Sequence, residues 1–195
     1  MLEQRIQQQF FDCADLQYQT AESLGRPIAD AAGALLGAIT AGGKVMACGR
    51  GSAALLATHF ADAFVGRFER DRPGLAALAL THAAALADVA GGEQVYAKQV
   101  QALGQPGDVL LLFDSAGCEP AAGLAAIRAA HGKDMTVVLL AGQAGAVWRE
   151  TLIETDVLIT VPHERAARVL ELQLLVLHCL CDAVDLQLMG ELEPS

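Results

Sequence analysis

The sequence predicts an α/β protein, a doubly wound parallel five-stranded sheet flanked by helices and preceded by an N-terminal helical pair, on three observations. Five apolar runs, at 44–48, 75–80, 109–113, 136–140 and 157–161, lack the alternation of a half-exposed strand. Strands apolar on both faces belong to a parallel sheet covered by helices. Helical stretches separate the runs in turn, which is the strand-helix alternation of an α/β fold. The chain of 195 residues, 53% of them apolar, is long enough for one domain with a full core.

The opening segment is read as two helices. Leu2, Ile6, Phe10, Cys13 and Leu16 recur at steps of three and four, one helical face. Gly25 and Pro27 are expected to break that helix, a second is expected from Ile28 to about Ile39, and Gly42-Gly43 stops it. Residues 1–42 are expected to serve oligomerisation and 43–190 to form the α/β core, all 195 residues making one domain. Within the core, helices are expected at 52–68, 95–103, 120–130 and 147–152. The last helix, 165–188, carries Val169, Leu170, Leu172, Leu174, Leu175, Val176, Leu177, Leu180, Val184 and Leu188. A helix apolar on nearly all sides must be buried on all sides, so part of its cover is expected from another subunit. Phe10 and Phe11, adjacent and therefore on different faces, support a homo-oligomer of closed symmetry.

Charge and cysteine content exclude several classes. Against 23 acidic residues there are 13 basic ones, a net charge of −10, and no basic stripe that could release phosphate counterions. Direct nucleic-acid binding is not expected. Charged residues make up 18% of the chain, below the roughly 25% of an average domain. Cys13, Cys48, Cys118, Cys179 and Cys181 are odd in number and contain no Cys-x-x-Cys pair, which reads as reduced thiols without a disulfide frame or zinc knuckle. Residues 1–9 lack an apolar signal core, and no uncharged apolar run reaches the ~18–20 residues that span a bilayer, so a cytoplasmic protein away from membranes is expected.

Two turns carry the candidate chemistry. The first strand leads into Gly49, Arg50, Gly51 and Ser52 and then a helix, where glycines allow close backbone approach and free amides attract an anion. Gly49-x-Gly51-x-x-Ala54 also fits a dinucleotide fingerprint, but the second strand run is followed by Thr81 and His82 instead of the ribose-binding acid. The second turn, Asp114 to Glu119, follows the third strand and could share a crevice with the first at the carboxyl ends of the sheet.

The Cys48-Gly-x-Gly-Ser52 turn, His59-Phe-Ala61, Gly66-Arg-Phe-Glu69, Arg72-Pro73, Gly107-Asp-Val-Leu-Leu111 and the loop at Ser115, in that order, resemble a SIS domain, a flavodoxin-like three-layer fold. Within that family the chain resembles the sedoheptulose 7-phosphate isomerase branch. In Glu93 to Val100, Ala102-Leu-Gly104 and Cys179-Leu-Cys-Asp182 it is similar to that branch's non-enzymatic relatives, the DnaA initiator-associating proteins. The resemblance covers essentially the whole chain and implies a tetramer, a dimer of dimers.

The resemblance also implies a test of the site. The isomerases place His-x-x-x-Glu on the helix after the first turn, the glutamate as base, and a glutamine and histidine eight apart on the last helix. Here those positions hold His59, Ala63, Leu170 and His178, while Asp62 sits one residue early and about 100° round the helix. Alanine cannot take a proton from carbon. The hydroxyl-rich phosphate loop is replaced by Asp114 to Glu119, which keeps Ser115 and adds two carboxylates, and the first turn has Ala53 in place of a serine. Gly49, Arg50, Gly51, Ser52, Asp114, Ser115 and Glu119 are therefore expected to form a vestigial phosphosugar pocket without catalytic residues. His59 and His178 are the former isomerase and zinc positions. His59 with Asp62, three apart, and Glu171 with His178, seven apart, share helix faces that could approach a zinc ion, although no cofactor is expected. The resulting expectation is a non-catalytic scaffold that binds the replication initiator DnaA, with Leu186, Leu188 and Met189 as candidate contacts. The alternatives are an active phosphoheptose isomerase with a rearranged site and a phosphosugar-binding sensor.

Overall fold

The computed structural model describes residues 1–81, 88, 91–114, 120–143 and 146–190. Its strands are β1 (Val45–Gly49), β2 (Ala77–Ala79), β3 (Val109–Asp114), β4 (Thr136–Ala141) and β5 (Val157–Thr160). All neighbouring pairs are parallel, in the order β2-β1-β3-β4-β5. The chain leaves β1 for β2 on one side and then returns past β1 to β3 on the other. The switch point therefore lies between the carboxyl ends of β1 and β3, where such sheets bind ligands.

The helices among the described residues are α1 (Leu2–Thr40), α2 (Ala53–Val65), α3 (Val95–Leu103), α4 (Ala121–His131), α5 (Ala146–Thr151) and α6 (Ala166–Met189). Successive strand residues serve opposite cores. Val45, Ala47, Val109, Leu111, Phe113, Val138 and Leu140 face one core with α1, α2 and α6, whereas Met46, Cys48, Leu110, Leu112, Val137 and Leu139 face the other with α3, α4 and α5. Both faces need apolar side chains, which is why the strand runs show no alternation. The edge strand β2, paired only with β1, shortens from the expected 75–80 to three residues.

The N-terminal helical pair is instead one helix of 39 residues that runs through Gly25 and Pro27. Proline removes one intrahelical donor and costs about 3 kcal/mol. Ser23, whose carbonyl loses its partner, is exposed, so water can satisfy it. Leu16, Leu24, Ala31, Ala32, Leu35 and Ala38 meanwhile form one continuous buried stripe in the core shared with α6. At about 25 cal/mol per Å² of apolar surface, that burial exceeds the local penalty.

Helix α2 stops at Val65 rather than 68, and Arg72 shows how. Its guanidinium donates to the Ala63 carbonyl at 2.9 Å and the Phe64 carbonyl at 2.8 Å, two of the last carbonyls of α2. The same group pairs with Asp185 on α6, both side chains being almost fully buried. Helix α6 is not covered on all sides within one chain. Leu172, Val176, Leu177, Leu180 and Val184 are buried, while Leu174, Leu175, Leu186 and Met189 are exposed and Leu188 packs against the core from its edge.

Candidate functional site

The first turn is held by backbone fit. A Cβ on Gly49 would lie 2.6 Å from the Ala53 carbonyl oxygen, so only glycine lets the end of β1 pass under the first turn of α2. Gly51 has φ +57°, the left-handed region that side chains disfavour. The buried Tyr96 donates its hydroxyl to the Gly49 carbonyl and braces the turn from α3. Ser52 is the N-cap of α2, exposed and making no capping hydrogen bond with its side chain. The first amides of α2, those of Ala53, Ala54 and Leu55, donate to the carbonyls of Arg50, Gly51 and Ser52 at 3.1, 3.2 and 3.1 Å.

Two turns further along α2, His59 meets His178 of α6. Their Nε2 atoms lie 3.0 Å apart across a sequence separation of 119, with the rings edge to face. One ring must donate and the other accept, so at least one is neutral at that nitrogen. Phe68 packs against His178 with ring centroids 5.4 Å apart. Burial, and then the charge of His59, push the His178 imidazole below its ordinary value, leaving it neutral at pH 7. Beside the pair, α2 and α6 line an open cavity of about 300 Å³ whose wall includes Ser52, Leu56, His59, Leu170, Glu171 and Leu174.

The second turn is only partly described. Asp114, the last residue of β3, accepts a hydrogen bond from Trp148 Nε1 at 3.1 Å. Burial pushes its carboxyl up to about 6, against the opposing effect of the Trp148 bond. Its carbonyl accepts from Gln173 Nε2 at 2.8 Å, and Leu140 accepts from the same amide at 2.9 Å, so α6 is tied to the carboxyl ends of β3 and β4. Ser115 and Glu119 lie outside the described residues.

The structure therefore brings Ser52, His59 and His178 to one crevice, with Gly49 and Gly51 shaping its entrance. Ala63 is buried and Asp62 is exposed, so the neighbouring acid does not replace the absent glutamate. Gln173 and Trp148 were not foreseen as site-building groups. Their signal in the sequence was faint: one of two glutamines in an apolar helix, and the single tryptophan of the chain.

The histidine pair does not make a zinc site by itself. Two nitrogens on a tetrahedral zinc with bonds of about 2.0–2.1 Å stand roughly 3.3 Å apart, near the observed spacing, but such sites need a third protein ligand. Among the described residues no group of three or more His, Cys, Asp or Glu could hold a metal ion. Ala63 and Leu170, the two positions that would complete the set, carry no donor.

The SIS-domain family matches residues 9–142. The chain is 58% identical over 195 residues to a phosphoheptose isomerase of Methylibium petroleiphilum, covering 98% of this chain and 97% of that one. It is 45% identical over 190 residues to one from Azoarcus sp., covering 95% and 96%. Among solved structures, phosphoheptose isomerase GmhA from Neisseria gonorrhoeae superposes with a TM-score of 0.87 at 36% identity, over 95% of this chain and 99% of that one. A phosphoheptose isomerase from Francisella tularensis gives 0.89 at 34% identity, over 95% and 98%. These full-length matches overturn the expectation of a non-catalytic DnaA-binding scaffold. That expectation weighed the lost carboxylate and hydroxyls above the extent of the resemblance, and the proteins matched over the whole chain are isomerases.

Proposed function

This chain belongs to the SIS-domain family and, within it, to the phosphoheptose isomerases, and from that membership we propose that it interconverts sedoheptulose 7-phosphate and the corresponding aldoheptose 7-phosphate. The observation that carries the reading is the 3.0 Å contact between His59 and His178 at the edge of an apolar-walled cavity. A ketose-aldose shift moves one proton between adjacent carbons and another between their oxygens. A neutral imidazole can accept on one nitrogen and donate from the other, and a hydrogen-bonded pair can pass the proton on.

The phosphosugar pocket of this reading is built on Gly49, Arg50, Gly51 and Ser52, with Asp114 at the end of the neighbouring strand β3. An arginine and a serine hydroxyl suit a phosphate. Asp114 opposes it less than a fully ionised carboxylate would, because its value near 6 leaves a fraction protonated close to neutrality. His59 and His178 act without a zinc ion in this reading, in keeping with the two missing donors. The working form is a cytoplasmic homo-oligomer, a tetramer by family resemblance, which would cover the exposed Phe10, Phe11, Leu174 and Leu175.

The test is direct. Incubation with sedoheptulose 7-phosphate, with and without added zinc, is expected to yield aldoheptose phosphate, and His178→Ala is expected to lower kcat by about 100-fold or more. Absence of turnover under both conditions would overturn the assignment.

A further inference from the structure

The strand that leads into the first turn ends on a buried carbonyl that the sheet does not satisfy. In a parallel ladder a residue points its N–H and C=O to the same side, and that side alternates along the strand. Val45 of β1 donates to the Ala76 carbonyl at 2.9 Å, and the Ala47 carbonyl accepts from the Leu80 amide at 2.7 Å, so these two residues face β2. Gly49, two further on, aims its carbonyl at the same side. The register between β1 and β2 ends at Ala47 with Ala79, and the ladder offers Gly49 no partner there.

A buried carbonyl left without a donor is costly. Tyr96, the second residue of α3 and fully buried, supplies the donor: its hydroxyl bonds to the Gly49 carbonyl. Burial, and then Cys48, push the phenol up to about 12 against the opposing effect of Arg50, so at neutral pH the hydroxyl keeps the proton that it donates. This bond fixes more than one atom. The peptide joining Gly49 to Arg50 is planar and trans, so a carbonyl held towards Tyr96 turns the Arg50 amide to the opposite side. The left-handed Gly51 and the N-cap Ser52 follow from that peptide, and the side chains of Arg50 and Ser52 start from backbone positions that it sets.

We infer that Tyr96 is a positioning residue for phosphosugar binding, holding the turn from Gly49 to Ser52 in the geometry that receives the phosphate; the inference rests on the phosphosugar pocket of the isomerase reading. His59 and His178 meet two turns further along α2 and take no part in this bond. Tyr96 therefore acts on affinity and not on proton transfer.

Tyr96→Phe keeps the ring in its core and removes only the hydroxyl, so it is expected to fold, as circular dichroism would verify. Its calorimetric affinity for sedoheptulose 7-phosphate should fall about five- to tenfold and its KM rise in parallel, while kcat stays within about twofold. A hydrogen bond that served stability alone would lower Tm and leave the affinity of the folded protein unchanged. Ser52→Ala should weaken binding by a similar factor. The double variant should lose clearly less than the product of the two single losses, because Tyr96 acts through the turn that carries Ser52. Affinity and KM of Tyr96→Phe within about twofold of wild type would overturn the role of Tyr96 and leave the isomerase assignment standing. A loss confined to kcat, or single losses that simply multiply in the double variant, would overturn it too. A wild-type protein that binds the sugar phosphate without converting it overturns the isomerase assignment alone, and the affinity of Tyr96→Phe still decides the role of Tyr96. A wild-type protein that neither binds nor converts it overturns both.

Discussion

Asp114 closes β3 with a half-buried carboxyl that accepts a hydrogen bond from Trp148. Burial raises it from 3.8 to about 6 in the folded protein, so the folded state binds its proton more tightly than the unfolded chain does. Its protonated form therefore adds stability that is fully present below pH 3.8 and is lost as the pH rises through about 6. Asp114→Asn, which keeps an acceptor for Trp148, removes the burden of an ionised carboxyl. After allowance for partial exposure, the variant should gain on the order of 1–2 kcal/mol at pH 8 and almost nothing at pH 4. Urea midpoints at the two pH values measure this, and an equal gain at both would contradict it. His59 and His178 were legible as candidate site residues because their types and helices were readable. Their 3.0 Å contact was not, since no local pattern links residues 119 apart. Glu171 was legible only as a neighbour of His178 on one face. That it lines a cavity depends on where Arg168 and α1 place it.

At the scale of elements, catalysis in this reading requires that α2 and α6 keep a fixed crossing, because each carries one histidine. The buried pair of Arg72 and Asp185 supplies much of that constraint, joining the last carbonyls of α2 to the side of α6. Removing one member strands the other charge away from water, which costs about 3–5 kcal/mol, whereas replacing both by apolar groups costs much less. Arg72→Met should thus destabilise by about 3–5 kcal/mol, and Arg72→Met with Asp185→Leu by clearly less than the sum of the single changes. Denaturant unfolding of the four proteins of the cycle gives the coupling, and simple additivity would disprove it. Elements whose identity rests on local pattern were readable: α3 occupies the expected 95–103, and the core of each strand falls within its apolar run. The helix break expected at Pro27 was not realised, because a local cost of about 3 kcal/mol is outweighed by the stripe from Leu16 to Ala38 packed in the same core as α6.

For the whole molecule, the low charged fraction acquires a location. Phe10, Phe11 and Tyr18 on α1 are at least 61% exposed, Leu175 on α6 lies open in a groove shared with Leu24 and Ile28 of α1, and Leu174 is exposed on the side of the α2–α6 cavity. In the proposed oligomer this exposed apolar surface forms the interface. Sedimentation at micromolar concentration should show a closed oligomer, and Phe10→Asp with Phe11→Asp should shift it towards smaller species; a wild-type monomer would refute this. The sequence by itself determined the α/β class, the five parallel strands, the glycine turn at Gly49 to Ser52 and the absence of a carboxylate at position 63. Each of these follows from residue type and short-range periodicity. Only the tertiary structure decided that α1 runs unbroken, that His59 reaches His178, and that Arg168 links Glu171 to the Gln9 carbonyl of α1. Those features arise from contacts between distant segments, whose packing energies exceed the local preferences that a sequence displays.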